Sequence, residues 1–479
     1  MTAKMDTRTR WLALLVLCLG DLLIVLDVSI VNVALPSIRE DLGFSEASLA
    51  WVVNAYTLTF GGLMLLAGRL GDLYGQRRVF VLGVTLFTLA SLACGLATSQ
   101  ELLVGARAVQ GIGGAVVAAV ALSLIMTLFT EPAERAKAMG VIGFVAAGGG
   151  SIGVLAGGVL TDLLSWHWIF LVNLPVGAGV IVFSLMLLPG GRGERGGGRL
   201  DVAGALTVTA SLMVAVYAIV NGNEQGWTSG RTLGLLGAAA VGVALFLVLE
   251  ARVDSPLVPL GLFRLRSVAT ANVVGILWSA AMFAMFFLSA LYLQLVLGYS
   301  PLEVGLAFLP ANLIMGAFSI GLSAKLVLRF GIKPPLVAGM TLVAVGLALF
   351  ARVPVNGSFT IDVLPSMLVL GVGIGMAMNP LLLAAMSDVA PEQSGLASGV
   401  VNTSFMMGGA LGLAVLASVA AAVTGDDGSP AALAEGYRAA FVVGTVFAVA
   451  AGAVAAVFLR SPAREAVEGE PSYAGGHAG

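Results

Sequence analysis

The chain has 479 residues, of which 59% are hydrophobic and 10% charged, and its net charge is −2. A soluble globular domain carries about 25% charged residues, so a chain this poor in charge cannot clothe a water-facing surface and needs lipid as its solvent. The small net charge gives no bulk preference for nucleic acid, and two cysteines in apolar runs with two histidines leave little material for a disulfide framework, a metal site or His-based catalysis.

A transmembrane helix needs roughly 20 mostly apolar residues, and fourteen such runs follow one another. The first, at 11–35, is longer than the core of a cleavable signal peptide and contains two aspartates, so it reads as a first membrane helix. Spans follow at 48–68, 79–98, 102–126, 138–160 and 168–188. The Gly/Arg-rich stretch 190–199 reads as a flexible cytoplasmic linker. Two further spans, 202–221 and 232–250, precede a second linker, 250–267, that carries Pro256 and Pro259. The last six spans lie at 270–295, 304–324, 335–352, 364–387, 399–423 and 439–459, and the polar tail reads as disordered. The expected organisation is all-α and polytopic, six plus two plus six. An N-terminal six-helix bundle occupies 1–188. A cytoplasmic linker with two extra transmembrane helices occupies 189–250, a C-terminal six-helix bundle 251–460, and a cytoplasmic tail 461–479.

Basic residues orient the chain. With both termini inside, all of the 24 Lys and Arg residues fall on the cytoplasmic side except Arg39, Arg107, Arg231, Arg352 and Arg438. A missed helix would invert every later loop and spoil this split. A weak internal repeat supports two related halves. Arg69, Gly75 and Arg77 after the second span match Lys325, Gly331 and Lys333 after the tenth, with Leu328 in place of Asp72. Secondary transporters are built from such paired halves around a central path.

Charges inside the membrane are the sharpest chemical signal, since each costs roughly 2.5–3.5 kcal/mol at a helix centre. Asp21 and Asp27 in the first span and Arg107 in the fourth are the three that lie deep. At 1.5 Å per residue, Asp27 lies about 12 Å and Arg107 about 8 Å below the outer surface, so the two can meet. Asp21 lies nearer the midplane, about 120° around the helix from Asp27. A carboxylate beside a movable arginine changes its proton affinity, which is a means of coupling protons to helix motion. The alternative is a static ion pair that fixes packing.

The loop with Gly68, Asp72, Gly75, Arg77 and Arg78 reads first as a tight turn with topogenic charges. It reads second as a latch that holds one conformation closed. Gly149, Gly153, Gly157 and Gly158 in the fifth span allow close helix approach, and a sliding seam between halves is the functional version. Candidates to line a mostly apolar cavity are Asn54, Tyr56, Gln110, Met282, Phe283, Phe286, Tyr292, Gln294, Asn312, Asn379 and Asn402. Pro380 is expected to kink the twelfth span. No phosphate-binding G-x-x-x-x-G-K-[ST] loop is present, so direct ATP drive has no support.

Six motifs in order resemble the major facilitator superfamily, in particular its fourteen-helix drug:proton antiporter branch. They are Leu26, Asp27, Asn32 and Pro36; the 68–78 loop; Arg107, Gln110, Gly111, Gly113 and Gly114; Trp166, Trp168, Phe170, Asn173, Pro175 and Gly177; Gly298 and Pro301; and Ser394, Gly395, Gly399 and Asn402. The resemblance covers nearly the whole chain. Departures are Val154 where the antiporter helix carries proline, Phe405 and Met406 where Arg-Gln is common, and no deep acid in the last six spans.

The resemblance implies a proton-coupled exporter of antibiotics or other lipophilic small molecules, working by alternating access as a monomer. It implies proton coupling at Asp27, Asp21 and Arg107, no cofactor or metal, no enzyme activity, and no partner beyond substrate, protons and membrane lipid. The expected location is the bacterial inner membrane with both termini cytoplasmic. A dedicated exporter of one endogenous metabolite is the alternative, and a non-transporting sensor or scaffold is a more distant one.

Overall fold

The computed structural model describes residues 6–190, 201–253, 256–318, 322–389, 394–425 and 427–459. The expected linker beyond Gly190 and the expected tail lie outside the described residues. Among the described residues all regular structure is helical. The reason is chemical: in lipid every backbone group must be satisfied within the chain, and a helix does that segment by segment.

A helix occupies each of the fourteen expected positions. The first six are α1 (Thr7–Leu42), α2 (Trp51–Tyr74), α3 (Gln76–Gly95), α4 (Gln100–Leu128), α5 (Pro132–Leu163) and α6 (Trp168–Leu187). Then come α7 (Val202–Val220) and α8 (Gly230–Arg252). The last six are α9 (Arg266–Leu291), α10 (Pro301–Ala317), α11 (Lys333–Phe350), α12 (Leu364–Met386), α13 (Ser394–Thr424) and α14 (Pro430–Phe458). Among the described residues twelve helices are long and apolar enough to cross a membrane. Of the other two, α10 is a shorter apolar helix and α5 is a glycine-rich one of 32 residues. Local chemistry sets several starts. Ser99, Asp201, Ser229, Ser300 and Ser429 accept a first-turn backbone N–H, and Pro132, Pro301 and Pro430 stand where no donor is needed. Pro380 lies inside α12.

The sequence repeat has a backbone counterpart. Gly75 links α2 to α3 with φ 96°, and Gly331 precedes α11 with φ 81°. Both are values that side chains with a Cβ rarely adopt.

Helices α1–α6 pack among themselves, as do α9–α14. The two sets meet along α5 with α10 and α2 with α13. Apolar packing at the end expected to face outward is shared: Ile30, Leu35, Leu103 and Phe170 belong to one cluster with Leu288, Leu291 and Phe308. At the opposite end Leu14, Leu17, Phe80 and Leu124 belong to a separate cluster whose buried members all come from the first six helices, with Met406 of α13 packed against it. Gln294 Nε2 donates to Val33 O at 2.8 Å and bridges the two sets at the shared end. The extra helices sit to one side. A third cluster joins Leu58 of α2, Val216 of α7 and Ala410 of α13, while α8 packs chiefly on α7 and leaves most of its surface uncovered.

Candidate functional site

Five helices of the first set converge on Asp27. Their apolar faces pack so tightly that Asp27 is 0% and Arg107 1% exposed. Arg107 Nη1 stands 2.5 Å from Asp27 Oδ2 and 2.7 Å from Gln110 Oε1, and Arg107 Nε donates to Val52 O at 2.8 Å. Gln110 Nε2 donates to Asp27 Oδ1 at 2.6 Å and to Ser91 Oγ at 2.8 Å, and Asn173 Nδ2 reaches Oδ1 at 3.3 Å. The guanidinium lies 4.4 Å from the ring centre of Tyr56 and 5.7 Å from that of Phe170. Both charges are therefore desolvated but paired, the condition under which a buried ion pair persists. Arg107 and Gln110, three residues apart on α4, face α1 together because that spacing shares one helix face.

Asp21 stays apart. It is partly exposed, with no hydrogen bond or ion pair among the described residues. Ser91 completes the network, although one serine in an apolar run carries no signal. Asn173 also belongs to it, and its place in the Trp166-to-Gly177 motif was the available clue. Two neighbours on α2 lack partners: both side-chain polar atoms of Asn54 and the hydroxyl of Tyr56 are buried without a hydrogen bond. Such groups cost about 1–3 kcal/mol each and mark where a polar partner is missing.

The glycine helix packs on the helix that carries the acids. A Cβ at Gly149 would meet Leu22 at 2.9 Å, one at Gly153 would meet Ser29 at 2.9 Å, and one at Gly157 would meet the backbone oxygen of Ile30 at 2.8 Å. Gly158 alone of the four faces the other set of helices, 2.7 Å from Pro301 O. The four glycines thus form a seam chiefly within the first set. Gly157→Val, whose new atoms meet backbone and cannot be relieved by a rotamer change, is expected to push α5 off α1 and remove transport. A purified variant that elutes normally yet does not transport is the expected result.

The 68–78 segment is not an extended turn but the end of α2 and the start of α3, joined at Gly75 and packed against its own bundle. Gly68 and Gly71 lie over Ala119 and Val120 of α4, Arg77 Nη1 donates to Leu188 O at 3.3 Å, and Arg78 is exposed. The side chain of Asp72 lies outside the described residues.

The cavity candidates do not gather in one place. Gln110 and Tyr56 belong to the ion-pair network. Phe286 and Asn312 line a narrow void of about 10 Å³ with Met285, Phe308 and Met315, room for a single water. Phe283 and Met282 are half-buried on α9, with Phe283 against Phe405. Tyr292 is buried, its hydroxyl donating to Pro354 O at 2.7 Å, and Gln294 is in the outer bridge. Asn379 and Asn402 are half-buried, with Asn402 bonded to its own helix. A groove of about 550 Å³ lies at the outer end, between Pro36, Arg39 and Phe44 of the α1 end and Gln294 and Tyr299 beyond α9. No cluster of three or more metal-ligating side chains occurs among the described residues.

Residues 17–413 match the sequence model of the family described as the Major Facilitator Superfamily. The chain is 41% identical to the puromycin resistance protein pur8 of Streptomyces alboniger, over 92% of this chain and 88% of that protein. It is 40% identical to the cephamycin export protein CmcT of Amycolatopsis lactamdurans, over 94% and 92%. It is 37% identical to the lincomycin resistance protein of Streptomyces lincolnensis, over 93% and 92%. Its fold superposes on a crystal structure of the nucleoside transporter NupG with a TM-score of 0.68, at 14% identity, over 94% of this chain and all of that one.

Proposed function

The chain belongs to the Major Facilitator Superfamily and is a small-molecule efflux transporter, and from that premise we propose that it exports lipophilic antibiotics in exchange for protons. The observation that carries the coupling is the buried Asp27–Arg107–Gln110 network. It lies one turn below Ile30 and Val31, residues of the apolar core that joins the two halves at the outer end. Opening that end moves α1 against the α5 glycines, and any such motion changes how closely Arg107 stands to Asp27. A carboxylate that loses its cation in a dry site takes up a proton, and it releases the proton when the cation returns. Asp21, deeper and partly exposed, is the step between Asp27 and the inner water.

In this reading fourteen helices cross the bacterial inner membrane as six, two and six, both termini are cytoplasmic, and the protein works as a monomer. Gly68, Asp72, Gly75, Arg77 and Arg78 brace the inner end of the first bundle. The unpaired polar atoms of Asn54 and Tyr56, with Phe283, Phe286, Asn312, Asn379 and Asn402, meet substrate once the halves part. A second reading, export of one antibiotic-like product, is favoured by relatives that each bear the name of a single antibiotic.

A resistance panel in an efflux-deficient bacterial host tests both readings. Raised tolerance to several lipophilic antibiotics supports the first and to one compound class the second. Tolerance unchanged for every compound, with the protein present in the membrane, sinks both.

A further inference from the structure

Asp201 and Glu250 lie at opposite ends of the α7–α8 pair in sequence and at the same end in space. Asp201 caps α7, its Oδ1 accepting from Gly204 N at 2.7 Å. Glu250, in the last turns of α8, accepts from Val258 N at 3.0 Å through Oε2. That leaves one oxygen on each carboxyl, Asp201 Oδ2 and Glu250 Oε1, and both are buried with no donor among the described residues. The residues are 5% and 3% exposed. The two free oxygens converge over Gly204. Both oxygens crowd the point where a Cβ at Gly204 would stand, Glu250 Oε1 at 2.8 Å from it, and the two carboxyls are hydrogen-bond neighbours.

Two anionic oxygens do not face one another in a dry site without something positive between them. The basic residues nearest in sequence, Arg252, Arg264 and Arg266, are exposed, Arg266 is turned to Val457 and Phe458, and α13 carries no charged residue. Neither carboxyl forms an ion pair with any of these among the described residues. Two carboxyls alone are a poor metal site, and no third ligand stands with them among the described residues. A single proton satisfies the geometry: one carboxyl becomes a donor, and the other remains an acceptor.

We propose that Asp201 and Glu250 are a second proton-binding site, holding one proton between Oδ2 and Oε1 and clamping the inner end of the α7–α8 pair to the segment that leads into α9. Binding forms one O–H bond with a proton taken from the water at that membrane face, and release returns it there. With the proton bound, the start of α7, the end of α8 and Val258 are one unit. With it lost, two carboxylates repel and the Val258 contact is released. Because α7 packs on α2 and α13, the clamp reaches a seam at which the two halves meet.

The readout needs no transport, so it stands or falls apart from the Asp27 coupling. Infrared spectra of the purified full chain in lipid are recorded from neutral to alkaline pH for wild type, Glu250→Gln and Asp201→Asn. The expected result is a protonated-carboxyl band that titrates away in wild type and is missing from both variants. An amide at either position donates an N–H in place of the shared proton, so both variants should fold. The wild-type melting temperature should fall as pH rises, since the folded state binds one proton more than the unfolded, and that dependence should flatten in the variants. A wild-type-like band in both variants, or no titrating band in wild type, overturns the proposal.

Discussion

Asp27→Asn is expected to reduce pH-gradient-driven efflux from proteoliposomes to the level of empty vesicles, while the protein inserts and purifies. Insertion depends on the hydropathy of α1, which one amide does not lower. Folding survives because Arg107 keeps Val52 O, Gln110 Oε1 and two aromatic faces, and a guanidinium cannot shed its charge. The amide oxygen still accepts from Gln110. What disappears is the carboxylate of the network, the group through which it would take and release a proton. Substrate binding should persist, and substrate-driven proton movement should vanish. Full gradient-driven efflux by this variant would falsify the coupling role of Asp27.

Arg107→Ala is expected to be the more damaging change to stability. It strips Asp27 of its cation and of the side chain that fills the space between α1, α2 and α6. Removing one partner of a buried pair costs on the order of 3–5 kcal/mol, which a thermal melt in detergent reads as a clear fall in melting temperature. The Asp27→Asn/Arg107→Ala double variant should recover much of that loss, because no uncompensated carboxylate remains. Such recovery is the non-additivity that contacting residues show. A double variant as unstable as the two single losses added together means that the pair is not coupled, and the network then has another role.

These two residues were also the most legible part of the site. Charges in apolar helices are rare enough to stand out, and counting residues from each helix end put both at compatible depth. Ser91 and Asn173 were not legible in that way, since one polar residue in an apolar run is common and its direction depends on the neighbouring helices. The same limit scattered the cavity candidates. Tyr292 and Gln294 have the chemistry of ligand-lining residues, yet they stand on the helical turn that follows α9, bonded to Pro354 and Val33. The spacing of Gly149, Gly153 and Gly157 announced a close helix contact but not its partner, because small-residue periodicity describes one surface and contact requires two. Helix positions were readable throughout, since a run of about 20 apolar residues is itself the physical cause of a membrane helix. The Asp201–Glu250 contact was invisible, because each residue alone reads as a helix boundary.

The position of α7 removes a symmetry that the two six-helix sets would otherwise share. Two equivalent lateral clefts would run between them, one along α2 and α13 and one along α5 and α10. With Leu58, Val216 and Ala410 in one cluster, the first cleft is roofed, and the Thr209 side chain fills the space over Gly62. No helix among the described residues lies over the other. The molecule is therefore unlike on its two sides: lipid meets the α5–α10 contact directly, and meets α7 and α8 in front of the α2–α13 contact.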